Sequence, residues 1–138
     1  MQMEDIIKFR SNGFANDLGV RITKLELGYA EGEVEWQETF RNPIGSTHGG
    51  FLFTIIDTIG GAAACSYGTM VTSLAGNINY LNPAMNWKKL TATAKEVKHG
   101  KNVSVYDVLV KDETGKDICS GTMTYFTLKD MPIKPNDK

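Results

Sequence analysis

At 138 residues, with 15 Lys and Arg against 16 Asp and Glu, the chain fits one domain spanning 1–138 and excludes two of ordinary size. A formal net charge of −1 on a mixed-sign sequence gives no ground for nucleic acid or an anionic membrane as partner. Cys65 and Cys119 stand far apart in apolar stretches, which excludes a disulfide framework and points to a reducing, cytoplasmic setting.

The first residues, MQMEDIIKFR, carry early acids and no apolar core of a secretory signal. Met3 to Ser11 reads as a short amphipathic helix with Met3, Ile6, Ile7 and Phe9 on its apolar side, stopped by Asn12-Gly13 within an N-terminal segment 1–15. Gly19 to Leu27 and Tyr29 to Gln37 alternate as two strands of a hairpin about Gly28.

From Gly50 the chain is apolar on every helical face, with Phe51, Leu52, Phe53, Ile55, Ile56 and Ile59 leading into Gly60-Gly61-Ala62-Ala63-Ala64. A helix of that kind is expected to be buried on all sides. Asp57 interrupts it, with no Lys or Arg within two turns, and an unpaired carboxylate in apolar surroundings is costly. Thr47-His48-Gly49-Gly50 opens the helix with two glycines, where the first backbone N–H groups lack intrahelical partners and attract negative charge. The run is too short to span a bilayer.

Four more extended runs follow: Met70 to Leu81, Leu90 to Lys98, Asn102 to Lys111 and Asp117 to Leu128. Turn chemistry at Asn82-Pro83, His99-Gly100 and Asp112 to Gly115 separates them and implies mostly hairpin connections in an antiparallel sheet. Residues 129–138, polar and proline-bearing, are expected to form a flexible tail. The class is therefore α+β, about six antiparallel strands with one long central helix. Full burial of that helix calls for a strongly curled sheet or a second copy, and the Gly60 to Ala64 patch favours close approach of another backbone.

Gly49 and Asp57 are eight residues apart, hence ~12 Å along one helix, whereas an attacking group must lie ~3 to 3.5 Å from its carbonyl carbon. Two antiparallel helices in a dimer would bring the start of one beside the middle of the other, so a monomer is expected to be inactive. The parts suit hydrolysis of an activated acyl group: a carboxylate activates water or attacks, and backbone donors hold the oxyanion. A thiolate leaving group needs no dedicated general acid. No G-x-S-x-G, Cys/His pairing or HExxH helix supports a triad or zinc site.

The run Asn42-Pro43-Ile44-Gly45-Ser46-Thr47-His48-Gly49-Gly50, with Asp57, Gly60-Gly61 and the later Ser73 to Ala84, resembles the PaaI-like branch of the hotdog-fold thioesterases over Gly19 to Leu128. The resemblance implies a hotdog fold, a curled sheet wrapped around the central helix, assembled as dimers or dimers of dimers with sites across the interface and no metal. It implies hydrolysis of an aromatic or medium- to long-chain acyl-CoA to free acid and coenzyme A, the latter entering as part of the substrate. Asp57 matches the catalytic carboxylate, Gly49 the polarising N–H, Asn42 a side-chain donor, His48 the residue shaping the helix start, and Ser73 a hydroxyl that orients water, with Thr72 as its neighbour alternative. Gly50, Thr72, Phe51, Lys98 and Lys101 are candidate substrate contacts.

Plainer roles stand beside these. Asp57 could be a core acid satisfied by Thr54 or Thr58, His48 a cap, Asn42 a turn residue before Pro43, Phe51 core packing, and Lys98 and Lys101 solvated turn residues. A non-catalytic acyl-CoA-binding protein and an enoyl-thioester hydratase are the alternative functions.

Overall fold

The computed structural model describes residues 2–135. Helix α1 (Met3–Arg10) and a short α2 (Phe14–Asp17) precede β1 (Arg21–Glu26) and β2 (Tyr29–Glu35). A 3-10 turn (Glu38–Phe40) leads to α3 (Gly49–Cys65), followed by β3 (Thr69–Tyr80), β4 (Lys89–His99), β5 (Val103–Asp112) and β6 (Asp117–Pro132). All six strands form one antiparallel sheet in the order β1-β2-β4-β5-β6-β3. The sheet curls around α3, which is the hotdog architecture.

Period-two alternation sets the inner face. Ala30 and Val34, Leu90, Ala92 and Ala94, Tyr106, Val108 and Val110, and Cys119, Met123 and Tyr125 are all buried and form one core with Leu52, Ile55, Ile56 and Ile59 of α3. Full burial of an isoleucine contributes about 1.5–3 kcal/mol, so Ile56 and Ile59 anchor the helix to the sheet. Small inner residues let it sit close. A Cβ on Gly32 would stand 2.2 Å from Ile59 Cδ1 and 2.8 Å from the Arg21 carbonyl, which leaves room for glycine alone.

Several sequence expectations are corrected. The helix is not buried all round: Gly50 is exposed and Phe53, Thr54, Asp57 and Thr58 are partly exposed, forming one stripe at helical spacing. The small-residue patch receives groups of its own chain, because Cβ atoms at Gly60 and Gly61 would meet Tyr125 Oη at 2.6 Å and Arg10 Nη2 at 2.7 Å. Asn82-Pro83 is not a hairpin turn, since β3 lies at the sheet edge beside β6 while β4 lies between β2 and β5. The N-terminal segment contains a second helix, α2, after α1 ends at Arg10.

The tail is shorter than expected. Strand β6 continues to Pro132 because the start of β3 needs a partner, Thr69 pairing with Pro132. Ile133 is buried, its N–H donating to the Gly68 carbonyl at 2.8 Å. Residues 136–138 of the expected tail lie outside the described residues. Cys65 and Cys119 are free, buried thiols, and burial pushes the Cys119 thiol up to about 12. Among the described residues no helix is long and apolar enough to cross a membrane.

Candidate active site

The loop before α3 is fastened on both sides. The Thr47 N–H and Oγ1 donate to the Ala84 carbonyl at 3.1 and 2.6 Å, and the Trp87 indole N–H donates to Thr47 Oγ1 at 2.7 Å. The His48 N–H donates to the Phe40 carbonyl at 2.7 Å. Asn42 ties the preceding turn: its Oδ1 accepts the Ile44 and Ser46 N–H groups at 3.1 and 3.0 Å, and its Nδ2 donates to Ser46 Oγ at 2.8 Å. One Nδ2 hydrogen is thereby engaged, leaving the second.

His48 caps the helix. Its Nδ1 accepts the Gly50 N–H at 2.8 Å, which requires Nδ1 to be unprotonated, and its carbonyl accepts the Phe51 and Leu52 N–H groups at 3.0 and 3.3 Å. Gly49 is the exception in this turn: its N–H has no acceptor among the described residues. With no acidic side chain in the first turn, the partial positive charge of the helix start is not offset locally. The Tyr80 hydroxyl, from the end of β3, donates to the Gly49 carbonyl at 3.0 Å.

Two cavities flank this point. One of about 440 Å³ is lined by Ser46, Thr47, Gly49, Leu52, Tyr80 and Pro83 among others. The other, about 350 Å³, has apolar walls from Phe14, Leu18, Phe40 and Phe51, with His48 and Gly50 at its side. Phe51 is buried and stacked on Phe40, ring centroids 3.7 Å apart, so it is both core and cavity wall. A wider groove of about 800 Å³ on the outer sheet face, near Lys95, Asp107 and Lys111, contains none of these groups.

Asp57 lies on the half-exposed stripe, two turns further along. It is not the lone buried acid that the local sequence implies. Its Oδ1 accepts Ser73 Oγ–H at 2.9 Å and the Tyr125 hydroxyl at 3.2 Å, and that hydroxyl is also 3.0 Å from the Asp57 carbonyl. Burial, then the Asp57 charge, raises the Tyr125 phenol well above its ordinary value, so it remains a donor. Arg10 approaches from α1, its Nη2 donating to the Thr58 carbonyl at 3.3 Å.

Of the expected residues, one chain brings His48, Gly49, Gly50 and Phe51 together at the helix start, keeps Asn42 in the turn before it, and joins Asp57 with Ser73 at the helix middle. Thr72 is an exposed β3 residue beside Ser73. Lys98 and Lys101 belong to the β4–β5 hairpin, where the His99 ring stacks on Tyr67 just past the end of α3, roughly 24 Å of helix from Gly49. The same chain does not bring them to the helix start. Tyr125, Tyr80 and Trp87 escaped sequence reading, and Thr47 was legible only as part of the run that opens the helix. Alternation along β6 puts Tyr125 on the inner face, but nothing local identifies the helix residue it meets.

A profile of the thioesterase superfamily matches residues 44–119. The chain is 30% identical over 110 residues to acyl-coenzyme A thioesterase PaaI of Escherichia coli K12, covering 80% of this chain and 79% of that protein. The solved structure of E. coli PaaI, from the phenylacetic acid degradation operon, superposes with a TM-score of 0.84 at 25% identity over 93% of this chain and 96% of that one. Human acyl-coenzyme A thioesterase 13 is 30% identical over 88% of this chain and 91% of its own length. A hypothetical thioesterase of Streptococcus pneumoniae TIGR4, solved with coenzyme A, gives a TM-score of 0.81 at 27% identity over 96% of this chain and 100% of that one.

Proposed function

This chain belongs to the thioesterase superfamily, in its PaaI-like hotdog branch, and is a thioester hydrolase; from that premise we propose that it cleaves aromatic or medium- to long-chain acyl-CoA at a site shared by two protomers. The observation that carries the reading is the Gly49 N–H, unclaimed while its neighbours are capped by His48. A donor of that kind, at the positive end of a helix, suits a carbonyl oxygen that becomes an oxyanion. The second Asn42 Nδ2 hydrogen is the companion donor, and the apolar cavity beside Gly50 suits the acyl group.

Asp57 of the neighbouring protomer supplies the base, because within one chain the helical rise keeps it ~12 Å from Gly49. Water gives a proton to the carboxylate as its oxygen bonds to the carbonyl carbon. The carbon–sulfur bond then breaks, coenzyme A leaves as thiolate, and the proton passes to sulfur, leaving the free acid. No metal enters this scheme. Pairing of the β3 edges would lay two α3 helices antiparallel, and the twelve-residue length of that edge strand supports such a contact.

The test is thiol release over aromatic, short, medium and long acyl-CoAs by the native chain and Asp57→Ala. The native chain is expected to release thiol and the variant to lose turnover while keeping its oligomeric size. A fully active Asp57→Ala would remove the assignment, and ligand binding without thiol release by the native chain would indicate a binding protein.

A further inference from the structure

Tyr125 sits on the inner row of β6 with 1% of its surface exposed, and its hydroxyl is carried under α3 at a single gap. That gap is Gly60, where a Cβ would lie 2.6 Å from the phenol oxygen and 3.3 Å from Val108 Cγ2. Its neighbour Tyr106, with ring centroid 6.1 Å away, is equally buried, yet the Tyr106 hydroxyl has no hydrogen-bond partner among the described residues. The two phenols therefore differ in one respect. Only Tyr125 reaches a functional group, lying 3.0 Å from the Asp57 carbonyl and 3.2 Å from Oδ1.

Ser73 donates to the same oxygen from β3, on the other side. Two hydroxyls thus converge on Oδ1, that of Tyr125 sharing its one proton between Oδ1 and the nearer Asp57 carbonyl, and Oδ2 has no partner among the described residues. Rotation about the Cβ–Cγ bond would break both contacts, so the direction of Oδ2 is fixed. We propose that Tyr125 is a positioning residue for Asp57: together with Ser73 it holds Oδ1 so that Oδ2 takes the proton of the attacking water, and Gly60 is the opening that admits it. The proposal rests on the reading of Asp57 as the base. Among the described residues, the remaining ionisable groups against this stretch are Arg10 from α1, hydrogen-bonded to the Thr58 carbonyl, and Cys65 on α3, 3.5 Å from Arg10 Nη1. Strand β3 contributes the uncharged Ser73.

The experiment measures kcat and KM separately for the full chain, Tyr125→Phe, Gly60→Ala, the double variant, and Tyr106→Phe as a control for loss of a buried hydroxyl. Tyr125→Phe is expected to lower kcat about tenfold with little change in KM, the size expected for losing one hydrogen bond to a charged group. Gly60→Ala should lower kcat similarly by displacing the phenol, with no further fall in the double variant. Tyr106→Phe should match the native chain. A Tyr125→Phe enzyme with native kcat overturns the proposal, as does an equal loss in Tyr106→Phe. Should Tyr125→Phe fail to fold, Gly60→Ala decides, native kcat counting against the proposal. An active Asp57→Ala would instead overturn the underlying reading, so the two failures are distinct.

Discussion

Ser73 Oγ lies 2.9 Å from Asp57 Oδ1, joining the edge strand of the sheet to the middle of the helix it wraps. The contact is exposed, so its contribution to folding is small, while its effect on the direction of the carboxylate is direct. Ser73→Ala is therefore expected to leave the melting temperature nearly unchanged and to lower kcat by roughly tenfold, the effect of about 1.4 kcal/mol. Steady-state thiol release and thermal unfolding on the same preparation check both halves. A native kcat would show that Tyr125 alone holds the acid.

The parts of this site that were legible in the sequence are those written in local order. The glycine-opened helix start, the capping His48 and the isolated acid at 57 all lie within a few turns of chain, and their residue types alone restrict what they can do. Tyr125 and Arg10 were not legible in the same way, because each meets α3 only through the fold, 68 residues after Asp57 and 48 before Thr58. The strands were legible from alternation, whereas their order was not: the Asn82-Pro83 turn looks like a hairpin although its strands are not neighbours. The expected flexible tail failed for a similar reason. Its first residues are polar by composition, but β6 runs on through them to Pro132, which pairs with Thr69 at the start of β3.

Strand β3 offers a long unpaired edge with Leu74 and Tyr80 more than half exposed, at 56% each. Under the proposed function this edge joins two protomers, so a charge placed there should separate them. Leu74→Lys is expected to shift the chain toward monomer in sedimentation at micromolar concentration and to lower specific activity more than about tenfold, with activity recovering as protein concentration rises. A monomeric variant with native activity would refute the shared site.

Thr47 holds two buried groups in line, accepting the Trp87 N–H at 2.7 Å and donating to the Ala84 carbonyl at 2.6 Å. Thr47→Val keeps the shape and removes the oxygen, leaving the buried indole N–H unsatisfied. That costs about 1–3 kcal/mol. Urea unfolding should show a lower midpoint with an unchanged slope. Because the same residue precedes His48 and Gly49, KM for acyl-CoA should rise as well, whereas a Val variant of native stability would mean that the indole finds another partner.

Glu33 on β2 receives Arg21 from β1 and Lys89 from β4, the latter at 3.3 Å, and so ties three strands on the outer face. The Arg21 hydrogen bond, followed by the Lys89 bond and the charges of both, holds its carboxyl below the ordinary glutamate value of 4.5, with burial opposing. A depressed folded-state value means that the folded chain binds fewer protons than the unfolded one as the medium becomes acidic. The contribution is thus fully present above the ordinary value and lost as pH falls through the folded one. Glu33→Gln should be less stable than the native chain near pH ~7, and the gap in melting temperature should close on acidification to pH ~3. Arg21 and Lys89 are each about half exposed, at 53% and 45%, so added salt should narrow the gap at neutral pH too. A gap that stays constant across the acid range would assign the loss to packing of the side chain and not to its charge.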